Sequence, residues 1–272
     1  MPRLGVLGWP VSHSRSPAMH NAALTALGMA DWRYQLLPVP PGRFAETVRA
    51  LMPAGFVGAN ATIPHKHAAL ALADSAGEAA RAIGAANTLT FAPDGTIAAE
   101  NTDAPGFLTA LGVSPRGMSA LVLGAGGSAR AVVWALREAG AREVSVWNRT
   151  PARAAALARD LGIRAAAAPE AADLLVNCTS VGLESQPASL KQSATEAQGL
   201  NLPAVTFDQV GNYSYVVDLV YRSSPTPLLA AARAHGARTV TGLEVLLAQG
   251  ALSFELWTGV RPPLEVMRRA LD

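Results

Sequence analysis

The sequence predicts an α/β protein. Short apolar strands alternate with amphipathic, Ala-rich helices along nearly the whole chain, as in a parallel sheet covered by helices. Residues 120–147 hold a strand, a Gly-rich turn, a helix and a second strand, the spacing of a βαβ unit. The chain also changes character at a linker, Gly112 to Gly117, and its 272 residues suffice for two ordinary domains or one large one.

The elements follow in order. Leu4 to Leu7 is the first strand, and the loop from Gly8 to Ser16 follows it. Ser16 and Pro17 read as N-cap and first helical residue, with Gly28 stopping the helix after Leu27. Trp32 to Leu37 is a strand and Pro41 to Leu51 a helix. Gly55 to Ala59 is a strand that runs into Asn60, Thr62 and Lys66, with a helix expected from Pro64. Ala85 to Phe91 and Thr96 to Ala99 flank Pro93-Asp94-Gly95, the signature of a hairpin. Asn101-Thr102-Asp103 lies beyond it, and Pro105 opens a helix to Leu111. Past the linker come strands at Ala120–Leu123 and Val144–Trp147, a cap pair at Thr150 and Pro151, and strands at Asp173–Asn177 and Tyr215–Leu219. Residues 184–212 are rich in Ser, Gln and Pro and match no element pattern. Helices at Pro227–His235 and Leu243–Thr258, then a short one in the tail, close the chain.

Composition narrows the function classes. Half the residues are hydrophobic and 15% charged, which suits a sizeable core. The net charge of +2 comes with no basic tract, so no nucleic-acid partner is expected. No charged n-region precedes a long apolar run, and no uninterrupted apolar stretch reaches the roughly 18 residues of a membrane span. One cysteine, Cys178, precludes an internal disulfide. The expectation is a cytoplasmic protein, with monomer and homodimer both open.

Lysine usage singles out one residue. Only two of the 22 basic residues are lysines, Lys66 and Lys191. Arginine stays protonated at any working pH, whereas a lysine removed from water exchanges a proton. Lys66 is therefore a candidate acid/base, set against the plainer reading of a solvated helix-start lysine. Around it in the sequence stand Ser14, Ser16, Asn60, Thr62, Asn87, Asp103 and Gln249. These are neutral hydrogen-bonding side chains plus one carboxylate, and most follow apolar strands, the end of an α/β sheet where ligands bind. Such a set suits a polyhydroxylated small molecule. His13, His65 and His67 lack metal-ligand spacing and read as loop residues, so no metal is expected.

The Gly-rich turn, Gly124, Gly126, Gly127, Ser128, Ala129, fits the G-x-G-x-x-A dinucleotide pattern between a strand and a helix. The second strand ends at Asn148, Arg149 and Thr150, with Arg153 one turn later. No carboxylate stands there to accept a ribose hydroxyl, and two guanidiniums are present to pair with a phosphate, which points to NADP.

The runs Gly8–Asn21, Asn60–Lys66, Gly84–Thr88, Asn101–Phe107, Gly124–Arg130, Asn148–Thr150, Asp218–Tyr221 and Gly242–Gln249 together closely resemble the shikimate dehydrogenase family. The resemblance implies NADP-linked interconversion of 3-dehydroshikimate and shikimate. It implies a substrate domain of residues 1–103 plus 242–272 and a Rossmann-type NADP domain of residues 104–241, separated by a cleft. The family's catalytic pair falls on Lys66 and Asp103. Its substrate contacts fall on Ser14, Ser16, Thr62, Asn87, Tyr221 and Gln249, with Asn60 nearby. Its cofactor contacts fall on Gly126, Gly127, Ala129, Asn148, Arg149, Thr150 and Arg153, with Leu219 and Gly242 near the nicotinamide. Quinate-preferring relatives tend to carry Thr at the second serine of the loop, so Ser16 favours shikimate. The intact Lys66 and Asp103 pair argues against a non-catalytic NADP-binding regulator. Cys178 and Leu183 depart from the family's usual Ala and Met.

Overall fold

The computed structural model describes residues 1–181, 204–222 and 224–271. They form two compact units, Met1–Gly106 with Leu246–Asp272, and Phe107–Val245. Leu183 and residues 184–203 lie outside the described residues.

The first unit opens with β1 (Arg3–Gly8), α1 (Ser16–Ala26), β2 (Arg33–Pro38), α2 (Phe44–Leu51) and β3 (Phe56–Ala61). It continues with α3 (Lys66–Leu72), β4 (Ser75–Ala76), α4 (Glu78–Ile83), β5 (Thr88–Phe91), β6 (Ile97–Glu100) and the start of α5 (Asp103–Leu111). Its sheet runs β2-β1-β3-β5-β6-β4. It is mixed: the hairpin expected around Pro93–Gly95 forms and pairs β5 antiparallel with β6, and β5 also runs antiparallel to β3. Gly95 takes the positive φ that this turn needs. The apolar side chains Val48, Phe44, Ala59, Leu89 and Ala99 pack one face of the sheet against its helices.

The second unit holds β7 (Ser119–Leu123), α6 (Gly127–Glu138), β8 (Glu143–Trp147), α7 (Pro151–Leu161), β9 (Arg164–Ala165) and β10 (Leu174–Asn177). Then come α8 (Phe207–Val210), β11 (Tyr215–Asp218), α9 (Pro227–Ala234) and β12 (Arg238–Val240). Helix α10 (Gly242–Thr258) runs from this unit into the first, which ends with α11 (Leu264–Arg269). Read from β9, the sheet order is β9-β8-β7-β10-β11-β12, every pairing parallel. In chain order that is 3-2-1-4-5-6, the doubly wound dinucleotide-binding arrangement.

Local expectations fail at four places. Ser16 is the first residue of α1 and Arg15 its N-cap, because the Ser14 hydroxyl, two residues upstream, takes the Ser16 N–H at 3.3 Å. Pro64 does not start a helix. It follows a cis bond in a turn closed by His65 N–H to Thr62 O (2.7 Å), and α3 begins at Lys66. Pro41 opens a 3₁₀ turn, Pro41–Arg43, before α2. Helix α5 starts at Asp103, ahead of Pro105, since the Asn101 carboxamide accepts the Ala104 N–H.

Candidate active site

In the first unit, β1 is followed in the sheet by β2 on one side and β3 on the other. The chain therefore leaves β1 and β3 in opposite directions, and their carboxyl ends open a crevice. The loop after β1 brings Ser14 and Ser16, whose hydroxyls lie 3.2 Å apart, Ser14 donating. The loop after β3 brings Thr62, half-buried, and then Lys66. Backbone bonds tie the two loops, from Thr62 N to Leu7 O (2.8 Å) and from Trp9 N to Ile63 O (3.0 Å).

Lys66 is 8% exposed, and its Nζ donates to Asp103 Oδ2 at 2.6 Å. A cation at the first residue of a helix opposes the helix dipole, while Asp103 at the first residue of α5 is favoured by it. Lys66 is thus placed against its local preference and balanced by a carboxylate from another element. The other oxygen, Asp103 Oδ1, accepts from Asn87 Nδ2 at 2.9 Å. Asn87 Nδ2 also reaches Gln249 Oε1 (3.1 Å) and Thr102 Oγ1 (2.9 Å). The orientation of the Asn87 amide is fixed by Thr102 N–H, which donates to Oδ1 at 2.7 Å. Gly106 lets the backbone of α10 approach α5: a Cβ there would sit 2.7 Å from Gln249 Cα.

Asn60 sits below this layer, 6% exposed. Its Oδ1 accepts from Tyr34 Oη (2.7 Å), and its Nδ2 faces Asn87 O (3.0 Å), Ser253 Oγ (3.0 Å) and Thr88 Oγ1 (3.1 Å). Protein groups occupy both ends of this amide. Thr88, Thr102 and Ser253 place their hydroxyls 2.9 to 3.2 Å from one another. Tyr34, Thr88, Thr102 and Ser253 escape sequence reading, although two signals exist. Thr88 and Thr102 adjoin Asn87 and Asp103, and Ser253 lies one helical turn from Gln249 on the same face. His65 is more than a loop residue: it is buried, stacked on Phe44, and its Nε2 lies 2.8 Å from Val39 O. Burial holds its pKa below the usual histidine value.

In the second unit the switch point falls between β7 and β10. Gly124 follows β7 with φ +109°, and a Cβ on it would meet Cys178 O at 3.0 Å. Gly126 is the N-cap of α6, and a Cβ there would meet no atom within 4 Å. Having no side chain, Gly126 makes no capping bond to the first turn of α6. At the end of β8, the Asn148 amide donates to Thr150 O at 3.0 Å. Thr150 is the N-cap of α7, as expected, but its side chain makes no capping bond. Arg149 and Arg153 are exposed, and among the described residues neither pairs with a carboxylate. Leu219 and Tyr221, both half-buried, lie on the segment after β11. Gly242 packs on it, since a Cβ there would be 2.5 Å from Leu219 O. An open turn, a helix N-terminus and two uncommitted guanidiniums fit a phosphorylated dinucleotide.

The model of the shikimate dehydrogenase substrate binding domain matches residues 6–89, that of shikimate/quinate 5-dehydrogenase residues 111–181, and that of the shikimate 5'-dehydrogenase C-terminal domain residues 242–271. The NADP(+) shikimate dehydrogenase of Methylobacterium radiotolerans is 46% identical over 276 residues, covering 96% of this chain and 93% of its own. The chain belongs to the shikimate dehydrogenase family. A second family member, from Thermus thermophilus, is 48% identical over 283 residues, covering 100% of this chain and 99% of its own. A crystal structure of the Thermus thermophilus shikimate 5-dehydrogenase in complex with NADP(H) and shikimate superposes with a TM-score of 0.86 at 44% identity, over 100% of this chain and 98% of that one. Among the described residues no helix is long and apolar enough to cross a membrane.

Proposed function

We propose that this chain catalyses the reversible, NADPH-dependent reduction of 3-dehydroshikimate to shikimate, a step toward chorismate and the aromatic amino acids. The observation that carries the reading is the 2.6 Å contact of Lys66 Nζ with Asp103 Oδ2 inside a buried polar layer. NADPH, when bound, supplies the hydride. Lys66 gives the proton that completes the alcohol from its ammonium group, and its amine takes that proton back in the oxidative direction. Asp103 fixes Nζ in place and accepts a hydrogen bond from the neighbouring substrate hydroxyl. Ser14, Ser16, Thr62, Asn87, Tyr221 and Gln249 hold the rest of the polar substrate. Asn60, its amide taken by the protein, acts by orienting Asn87 and is not a direct contact. Gly124, Gly126, Gly127, Ser128 and Ala129 receive the pyrophosphate. Asn148, Arg149, Thr150 and Arg153 receive the 2′-phosphate, and Leu219 and Gly242 border the nicotinamide.

The reading makes residues 1–103 with 242–272 the substrate domain and 104–241 the NADP domain. It places the enzyme in the cytoplasm, as a monomer or homodimer. Incubation of the purified protein with 3-dehydroshikimate and NADPH tests it. Equimolar loss of both with appearance of shikimate is expected; NADPH that stays reduced in the presence of the ketone overturns it.

A further inference from the structure

The carboxyl of Asp218 has no part in the chemistry above, yet it is 2% exposed at the carboxyl end of β11. Its Oδ1 accepts from Asn177 Nδ2 (2.8 Å), at the end of β10, and from Val220 N (3.1 Å), in the segment that holds Leu219 and Tyr221. Its Oδ2 accepts from Thr226 Oγ1 (2.6 Å), the N-cap of α9. Among the described residues, three neutral donors and no cation bond this carboxylate. Burial pushes its pKa up, and the three donors oppose that rise.

The reach of this group extends to the switch point. Asn177, held by Asp218, uses its own Oδ1 to accept from Thr179 N (3.0 Å) and Thr179 Oγ1 (2.7 Å). That orders the Cys178–Thr179 backbone, against which Gly124 packs. On the other side, Val220 N sets the segment whose Leu219 carbonyl abuts Gly242. One carboxyl thus sits behind both the phosphate turn and the Leu219 segment.

We propose that Asp218 is a positioning residue for the dinucleotide: through Oδ1 it fixes the Asn177–Thr179 and Leu219–Tyr221 segments that form the nicotinamide end of the NADP site. The inference rests on the reading that this unit binds NADP. It divides the carboxyl into two functions, Oδ1 holding the segments at the site and Oδ2 anchoring the carboxyl to α9.

The test is steady-state kinetics of the full chain, with shikimate and NADP⁺ varied separately, alongside thermal melting. Asp218→Ala should raise KM for NADP⁺ at least about tenfold and lower kcat, with a smaller rise in KM for shikimate because Tyr221 lies on the segment it fixes; a tenfold change corresponds to about 1.4 kcal/mol. Asp218→Asn should restore most of the loss, because its carbonyl keeps both Oδ1 contacts while the Thr226 hydroxyl turns to accept from the new amide. Thr226→Val should lower Tm and leave KM for NADP⁺ unchanged. Asn177→Ala should share the Asp218→Ala phenotype and decides the matter should Asp218→Ala not fold. Wild-type KM for NADP⁺ in folded Asp218→Ala, or in Asn177→Ala, overturns the inference and leaves the functional reading standing. A wild-type protein that turns over no shikimate and binds no NADP⁺ overturns the functional reading, and the inference with it.

Discussion

Lys66 is where a single side chain carries the most consequence. General acid/base groups contribute roughly 10²–10⁴ in rate, so Lys66→Ala should lose most of kcat with little change in KM for shikimate. Near-normal kcat in that variant would contradict the assignment. Lys66→Arg should be equally inactive, because a guanidinium keeps its proton; activity restored by Arg would show that only charge is needed. Lys66 was legible because lysine is rare in this chain, whereas the partners of Asn60 were not, because Tyr34 and Ser253 are remote in sequence. His20 was equally invisible. It is 0% exposed, stacked on Tyr34 at 4.2 Å, and among the described residues neither ring nitrogen has a hydrogen-bond partner. Burial lowers its pKa from 6.5 to about 3. The folded state therefore holds His20 neutral where the unfolded chain protonates it. Its contribution to stability is complete above pH 6.5 and falls away as the pH drops from there toward about 3. At pH 5 the loss is about 2 kcal/mol, at 1.36 kcal/mol per unit. Unfolding free energies from urea titrations at pH 7 and pH 5 should differ less in His20→Phe than in wild type by about that amount. An unchanged pH difference would place the acid sensitivity elsewhere.

At the level of elements, the proposed cofactor site rests on strand-turn-helix joints. The βαβ unit at β7, α6 and β8 was legible because its glycines and apolar runs are local signals. Strands β4, β9 and β12, of two or three residues, were not: their pairing comes from the neighbouring strand and leaves no pattern of its own. The Pro64 turn misled for a related reason, since proline suits a helix start and a turn equally well in sequence. Gly124 couples joint and site. Gly124→Ala faces the cost of its positive φ, about 1–2 kcal/mol, and the Cys178 carbonyl at 3.0 Å. Both should lower Tm and raise KM for NADP⁺; a variant that matched wild type in both would contradict the close approach. At the β8 to α7 joint, replacing either Arg149 or Arg153 by Ala should remove a charge-assisted bond to the 2′-phosphate of about 1.5–3 kcal/mol. KM for NADP⁺ should rise between about tenfold and a few hundredfold while KM for NAD⁺ holds steady. An equal rise for both cofactors would mean that the arginines do not read the 2′-phosphate.

For the molecule as a whole, shikimate should fall chiefly to the first unit and NADP to the second. Hydrogen exchange tests that division. Shikimate should slow exchange at β3, α3 and the part of α10 around Gln249, and NADP⁺ at the β7 to α6 and β8 to α7 joints, since binding to the native state opposes local opening. Protection by shikimate confined to Phe107–Val245 would contradict it. The fold class was readable from alternation alone. The assignment of the chain's end to the first unit came only from resemblance, because nothing local in α10 marks it as returning. The most direct test of the central claim is the initial rate of NADP⁺ reduction by the wild-type protein, with shikimate and with quinate, each repeated with NAD⁺. Fast turnover is expected for shikimate with NADP⁺ and slow turnover for the other three pairs. No turnover with any pair, in a protein that still binds NADP⁺, would contradict it.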